Sequence, residues 1–181
     1  AAPRVANMSD QLSNGVIAVV LGAVLAVVLL IPVAALRYRQ VGRLGFSDLT
    51  LLLAATVYGL ALWTYTLLPL PSGDYTCVGR QTELFATIRD INPTHGSWAS
   101  LLRDPGFLQV ALNVMLFVPL GYFVRRVLGR GVLVATVAGA GISLLIETTQ
   151  TTGIWGIYDC AYRLFDVDDL LTNTLGAVIG S

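Results

Sequence analysis

Long apolar runs, rather than alternation, set the pattern of this chain. A bilayer core about 30 Å thick takes roughly 20 helical residues to cross. Four stretches reach that scale. They are residues 16–36 ("VIAVVLGAVLAVVLLIPVAAL"), 49–68 ("LTLLLAATVYGLALWTYTLL"), 107–124 and 132–152. A fifth opens near Val167 and meets the last residue, Ser181, after about 15 residues, or roughly 22 Å. That is short of a crossing, so the helix is expected to continue past Ser181. The pattern predicts an all-α polytopic membrane helix bundle with five transmembrane helices. Residues 16–181 form its single domain, and residues 1–15 an N-terminal extension. The seven residues before Met8 are set aside, because Met8-Ser9 reads as near the natural start. The first run is longer than a signal-peptide core and is followed by "LRYRQVGR" rather than a small-residue cleavage pattern, which favours an anchor.

Composition agrees with this pattern. Only 12% of the 181 residues are charged, and 55% are hydrophobic. Soluble domains carry about 25% charge. The formal net charge is zero, so there is no basic field to attract nucleic acid. All 11 cationic residues are Arg.

Arginine placement sets the expected orientation. Arg37, Arg39 and Arg43 follow the first run, and Arg125, Arg126 and Arg130 lie between the third and fourth. Both short loops read as cytoplasmic. The loops 69–106 and 153–165 then lie outside, with the N-terminus outside and the C-terminus inside. Cys77 and Cys160 fall one in each outer loop, where disulfides persist, and a Cys77–Cys160 bridge is expected. Two separate thiols are the alternative. Within the first outer loop, "TELFATIRDI" has apolar residues at helical spacing and reads as a short surface helix. "NPTHG" reads as a turn, with His95 a loop residue.

Polar residues inside the runs fall in one layer. Counted from the outer end, Asn113 lies about 9 Å deep, Glu147 about 8 Å, Gln150 and Asp169 about 3 Å, and Asn173 about 9 Å. They also follow helix faces. Gly139, Ser143, Glu147 and Gln150 form one stripe. Asp166, Asp169, Asn173, Gly176 and Gly180 form another, acidic above and glycine below. The glycines would let the helices close together in lipid. Gln109 and Asn113 share a face of the third run, and Pro119-Leu120-Gly121 is expected to loosen that helix.

Ionisable groups at membrane depth face a bundle interior or a wet cavity. Two readings stay open. One makes Glu147, Asn113 and Asn173 hydrogen-bonded contacts between helices. The other makes them part of an outward-facing cavity. The aspartates divide the same way: Asp166 caps the fifth helix, or Asp166, Asp169 and Glu147 supply oxygen ligands to a divalent cation. No nucleophile motif, phosphate-cradling loop or zinc spacing is present.

Three segments carry a family pattern: "ALNVMLFVPLGYF", "SLLIETTQ" and "RLFDVDDLLTNTLGAVIG". The pattern has an Asn leading into Phe-x-Pro-Leu-Gly, then Ile-Glu-x-x-Gln, then Arg-x-Phe-Asp-x-Asp-Asp with a later Asn-Thr-Leu-Gly. On Asn113, Phe117, Pro119, Gly121, Glu147, Gln150, Arg163, Phe165, Asp166, Asp168, Asp169, Asn173 and Gly176, the chain resembles the VanZ-like family of bacterial membrane proteins. The resemblance covers roughly residues 107–180. It implies a multi-pass protein of the bacterial cell membrane, in a family associated with resistance to the glycopeptide teicoplanin. The expected site is then a cavity lined by Asn113, Glu147, Gln150, Arg163, Asp166, Asp169 and Asn173. Its ligand would be a membrane lipid, a lipid-linked cell-wall precursor or a lipid-tailed glycopeptide. Metal-assisted chemistry on a lipid phosphate, and a subunit role beside a membrane-protein partner, are the competing expectations.

Overall fold

The structure is a computed structural model that describes Val24, Val28 and residues 30–68, 70–71, 75–91 and 98–181. The expected extension, most of the first span, and His95 lie outside the described residues. The chain divides into two units, residues 1–77 and 78–181.

In the first unit, residues 30–41 are helical and are called α1. A second helix, α2, runs Phe46–Leu67. The turn between them is held by one carboxylate. Asp48 accepts from Arg37 Nε at 3.0 Å and from the Gly45 amide at 3.1 Å. Gly42, at φ +73°, supplies the reversal that other residues resist. Phe46, Leu49, Leu53 and Val57 are exposed. Such an apolar outer face belongs in lipid.

The second unit begins with β1 (Arg80–Gln81), α3 (Ala86–Asp90) and α4 (Trp98–Leu101). Two long helices follow, α5 (Pro105–Leu128) and α6 (Val132–Thr151). The chain closes with the turn α7 (Gly153–Gly156), β2 (Phe165–Asp166) and α8 (Val167–Gly180). β1 and β2 pair in parallel, Arg80 with Phe165 and Gln81 with Asp166. This two-residue bridge is the one departure from an all-helical fold among the described residues. The sequence pattern did not foresee it, since neither pair of residues alternates or forms a run.

Helices α2, α5 and α6 are long and apolar enough to cross a membrane. Helix α8 has 14 residues, about 21 Å, and packs on both α5 and α6. Its lower half explains how closely it does so. A Cβ at Gly176 would overlap the Val114 carbonyl, and one at Gly180 the Val118 carbonyl. From the facing side, a Cβ at Gly121 would overlap the Ala177 carbonyl. Small residues here let two backbones touch, which is how helices associate without a hydrophobic drive from lipid. Gly121 is therefore a packing residue. The expected loosening at Pro119 does not interrupt α5, which is assigned as one helix through that position. Phe117, Val124, Val127, Ala135, Ile146 and Ala177 fill the core around this seam.

Helix starts follow local chemistry. Asp104 caps α5 by accepting from the Phe107 amide at 3.1 Å, with Pro105 in the first turn, where no amide is needed. Helix α5 ends at Gly129, φ +62°. The turn α7 is unusual. Gly153, Ile154, Trp155 and Gly156 all have positive φ, between 54° and 87°. This is one left-handed helical turn, and it includes a β-branched residue.

Candidate functional site

Four helical segments of the second unit converge on one polar layer. It lies at the start of α8, the end of α6, the start of α5 and the β1–α3 segment. Asp166 sits at its centre and is 5% exposed. One oxygen, Oδ1, accepts from the Asp168 amide at 2.9 Å, which is the helix cap the sequence predicts, and from Gln81 Nε2 at 3.2 Å. The other, Oδ2, accepts from Thr87 Oγ1 and from Gln109 Nε2, both at 3.3 Å. Asp166 thus caps α8 and ties three other segments to it. Its own backbone amide donates to Glu147 Oε2 at 3.2 Å.

Asp169 lies one turn further along α8 and is half-buried. Its Oδ1 receives two side-chain amides from α5, Asn113 Nδ2 at 2.6 Å and Gln109 Nε2 at 2.9 Å. Asn113 and Gln109 sit four residues apart, so one face of α5 presents both donors. Another turn down, Asn173 Nδ2 donates to Ser143 Oγ on α6 at 2.9 Å. Asn173 is buried, and its Oδ1 has no hydrogen-bond partner. Such an orphaned acceptor costs about 1–3 kcal/mol unless something fills the gap.

Asp168 has a different role. At 2% exposure it is the most buried aspartate among the described residues. Its two oxygens accept from the Phe85 amide at 2.7 Å and the Thr87 amide at 3.0 Å. Phe85 is the residue before α3 and holds a left-handed φ of 62°. Asp168 therefore receives the free amides at the start of α3, a helix too short to hold itself. The segment 80–90 is clasped to α8 through Asp166 and Asp168.

The expected cavity residues are thus brought together in large part. Asn113, Glu147, Asp166, Asp169 and Asn173 share the layer. Gln150 is buried and Arg163 half-buried at the same end. Sequence reasoning left Gln109, Gln81, Thr87, Ser143 and Asp168 off the site. For Gln109 and Ser143 the signal was present, since each falls on a stripe with a site residue. Gln81 and Thr87 sit some eighty residues from their partners in sequence, and nothing local announces that pairing.

The partners of these carboxylates are neutral donors: backbone amides, Gln and Asn side chains, and a Thr hydroxyl. Carboxylates paired with primary amides offer acceptors and donors side by side, which suits hydroxyl-rich or cationic ligands. Among the described residues no three His, Cys, Asp or Glu side chains gather into a metal-holding group. Both oxygens of Asp166 are already taken up by donors, for reasons of helix and loop anchoring. Cys77 and Cys160 are both disulfide-bonded, as the sequence reading expected.

No curated protein and no solved structure matches the chain. A family model described as VanZ/LLP1 matches residues 55–181, a stretch that includes every residue of the polar layer. That match covers more than half of the sequence, and the chain belongs to the VanZ/LLP1 family.

Proposed function

We propose that this is a cell-envelope protein of the bacterial plasma membrane that recognises an amphiphile at its polar layer. The ligand class is a lipid-linked cell-wall intermediate or a lipid-tailed glycopeptide such as teicoplanin. The observation that carries the reading is the position of the layer. It gathers Glu147, Asp166 and Asp169 at one end of α5, α6 and α8, while Arg125, Arg126 and Arg130 lie at the other end of α5 and in the following loop. Arginine-rich short loops stay in the cytoplasm. The polar layer then faces outward, where both ligand classes reside.

Gln109, Asn113 and Asp169 are only half-buried, so a headgroup has donors and an acceptor within reach. Arg163 is suited to a phosphate or carboxylate on the same ligand. The apolar flanks of the helices would accept the lipid tail. Family membership supports the setting.

The test is direct binding. The full chain in nanodiscs is titrated with teicoplanin, with a glycopeptide lacking the lipid tail, and with a lipid-linked cell-wall precursor. Saturable binding of a tailed ligand, weakened at least tenfold in Asn113→Ala and Asp169→Asn, supports the reading. Equal binding of tailed and untailed glycopeptides would exclude an amphiphile site. Turnover of the lipid phosphate would turn the reading toward an enzyme, and a co-purifying protein covering the layer toward a subunit.

A further inference from the structure

Acidic side chains of the second unit gather at one end. Among the described residues, those from Glu83 to Asp104 and from Glu147 to Asp169 lie in the polar layer or in the loops beside it. Residues 105–146 and 170–181 contain none. The opposite end, where α5 turns into α6, carries Arg125, Arg126 and Arg130 instead. All three are exposed. Elsewhere Arg37 pairs with Asp48, and Arg89 with Glu83. Arg125, Arg126 and Arg130 have no ion pair and no side-chain hydrogen bond among the described residues.

The backbone brings these three arginines together. Val124 and Val127 are buried, so Arg125 and Arg126 between them stand on the outer face of α5. Helix α5 closes at the left-handed Gly129, and the Gly129 and Arg130 amides both donate to the Val124 carbonyl, the latter at 3.4 Å. This closure folds Arg130 back toward the turn that holds Arg125 and Arg126. Helix α6 starts two residues on, with Gly131 as its N-cap and no side chain accepting from its first amides. The start of a long helix adds partial positive charge to the same turn. Apolar side chains flank the arginines. Tyr122, one turn before Arg125 and Arg126, is exposed, and so are Val132 and Leu133 in the first turn of α6. Guanidinium groups alone would suit any phosphate, and the apolar flanks single out one that carries a lipid tail.

We propose that the α5–α6 turn is a binding site for an anionic phospholipid. Arg125, Arg126 and Arg130 take its phosphate, each offering paired donors in a fork that fits phosphate oxygens. Tyr122, Val132 and Leu133 lie beside its glycerol and acyl chains. Both helices are long and apolar enough to cross a membrane, so the turn between them stands at headgroup height. Basic turns between spans hold acidic headgroups in this way. Two blander roles need no lipid: the arginines set topology during insertion, and they complement the dipole at the end of α5. Neither role predicts a lipid that stays on the folded protein. The site lies at the far end of α5 and α6 from the polar layer and shares no residue with it.

The experiment uses the full chain in phosphatidylcholine nanodiscs doped with phosphatidylglycerol or cardiolipin, and native mass spectrometry counts the lipid retained on the protein. Each cation near an anionic lipid surface is worth about fivefold in affinity, so three arginines predict a preference of about a hundredfold for the anionic lipid over phosphatidylcholine. The double variant Arg126→Gln/Arg130→Gln should reduce that preference to about fivefold, with Arg125 left in place to hold topology. If the double variant fails to insert, Arg126→Gln alone should still lose about fivefold. Arg80→Gln/Arg103→Gln, which removes two exposed arginines at the other end of the second unit, should leave the preference unchanged. Three results overturn the site: equal retention of phosphatidylcholine by the wild type, equal losses in the two double variants, or displacement of the lipid by inorganic phosphate at matched ionic strength. The first would make the lipid merely annular, the second would make the effect one of general charge, and the third would make this a site for free anions. Asn113→Ala and Asp169→Asn should keep the anionic lipid, so this proposal and amphiphile recognition at the polar layer stand or fall separately.

Discussion

The two halves of α8 hold the same neighbours by opposite means. From Asp166 to Asn173 the helix is joined to α5, α6 and the 80–90 segment by directional bonds with several partners each. From Gly176 to Gly180 it is joined to α5 by shape alone, with backbone lying against backbone. The polar half has spare connections and can lose one and persist. The glycine half has no slack, because a single carbon would occupy the space of a carbonyl oxygen.

That contrast is open to breakage, starting where the effect should be greatest. Gly176→Leu should prevent the α5–α8 seam from forming. Overpacking commonly costs 1–3 kcal/mol, and here the obstacle is backbone, which cannot turn aside. Membrane-fraction abundance should fall at least tenfold, and near-normal abundance would show that the seam is looser than described. The covalent link comes next. Replacing Cys77 and Cys160 with Ser should lower stability by about 4 kcal/mol in the chain-entropy account of a long loop. Intact-mass measurement without reductant should first find the native chain two hydrogens light.

Asp168→Ala leaves the Phe85 and Thr87 amides without acceptors, at a cost of about 2–3 kcal/mol. The loss should be local, seen as faster proteolysis within residues 80–90 while the span helices stay protected. Uniform protection across that segment would show that Asp166 alone holds it. The smallest effect belongs to the cap. Asp166→Asn should cost a few tenths of a kcal/mol as a cap, because Asn caps nearly as well, whereas Asp166→Ala should cost about 1 kcal/mol and more through its other three bonds. Thermal unfolding of the two variants side by side measures the difference. Equal losses would mean that the charge, and not the cap geometry, is what Asp166 supplies.

How much of this was legible in the chain depended on distance along it. Helices α5 and α6 could be read because their apolar runs are long and their neighbours polar. The polar layer could be read because helical spacing places Asp169 and Asn173 on one face, and Glu147 and Ser143 on another. The glycine seam was half legible. Gly176 and Gly180 announced a close approach, but Gly121 beside Pro119 read as a weak point in α5 when it is the surface α8 rests on. The clasp of residues 80–90 by Asp166 and Asp168 was not legible, because it joins segments some eighty residues apart whose pairing depends on the completed bundle. The left-handed turn was equally hidden. Gly153 and Gly156 mark its ends, yet nothing in Ile154 and Trp155 favours positive φ.

That turn has a practical side. An L-residue held in the left-handed region costs roughly 1–2 kcal/mol, and here two stand in succession. Trp155 is 63% exposed and Ile157 75% exposed, both just past the C-terminal end of α6. An indole at that height suits the boundary between headgroups and acyl chains. On the proposed orientation, the turn would set how far the polar layer stands above the lipid tails. Ile154→Gly should raise the melting temperature in detergent, since it relieves strain and leaves the indole in place. Trp155→Gly should also raise it in detergent, yet in a bilayer it should let the whole C-terminal end of α6 settle to a different level. Binding of an amphiphile of the proposed class would register that change of height before any change of contact.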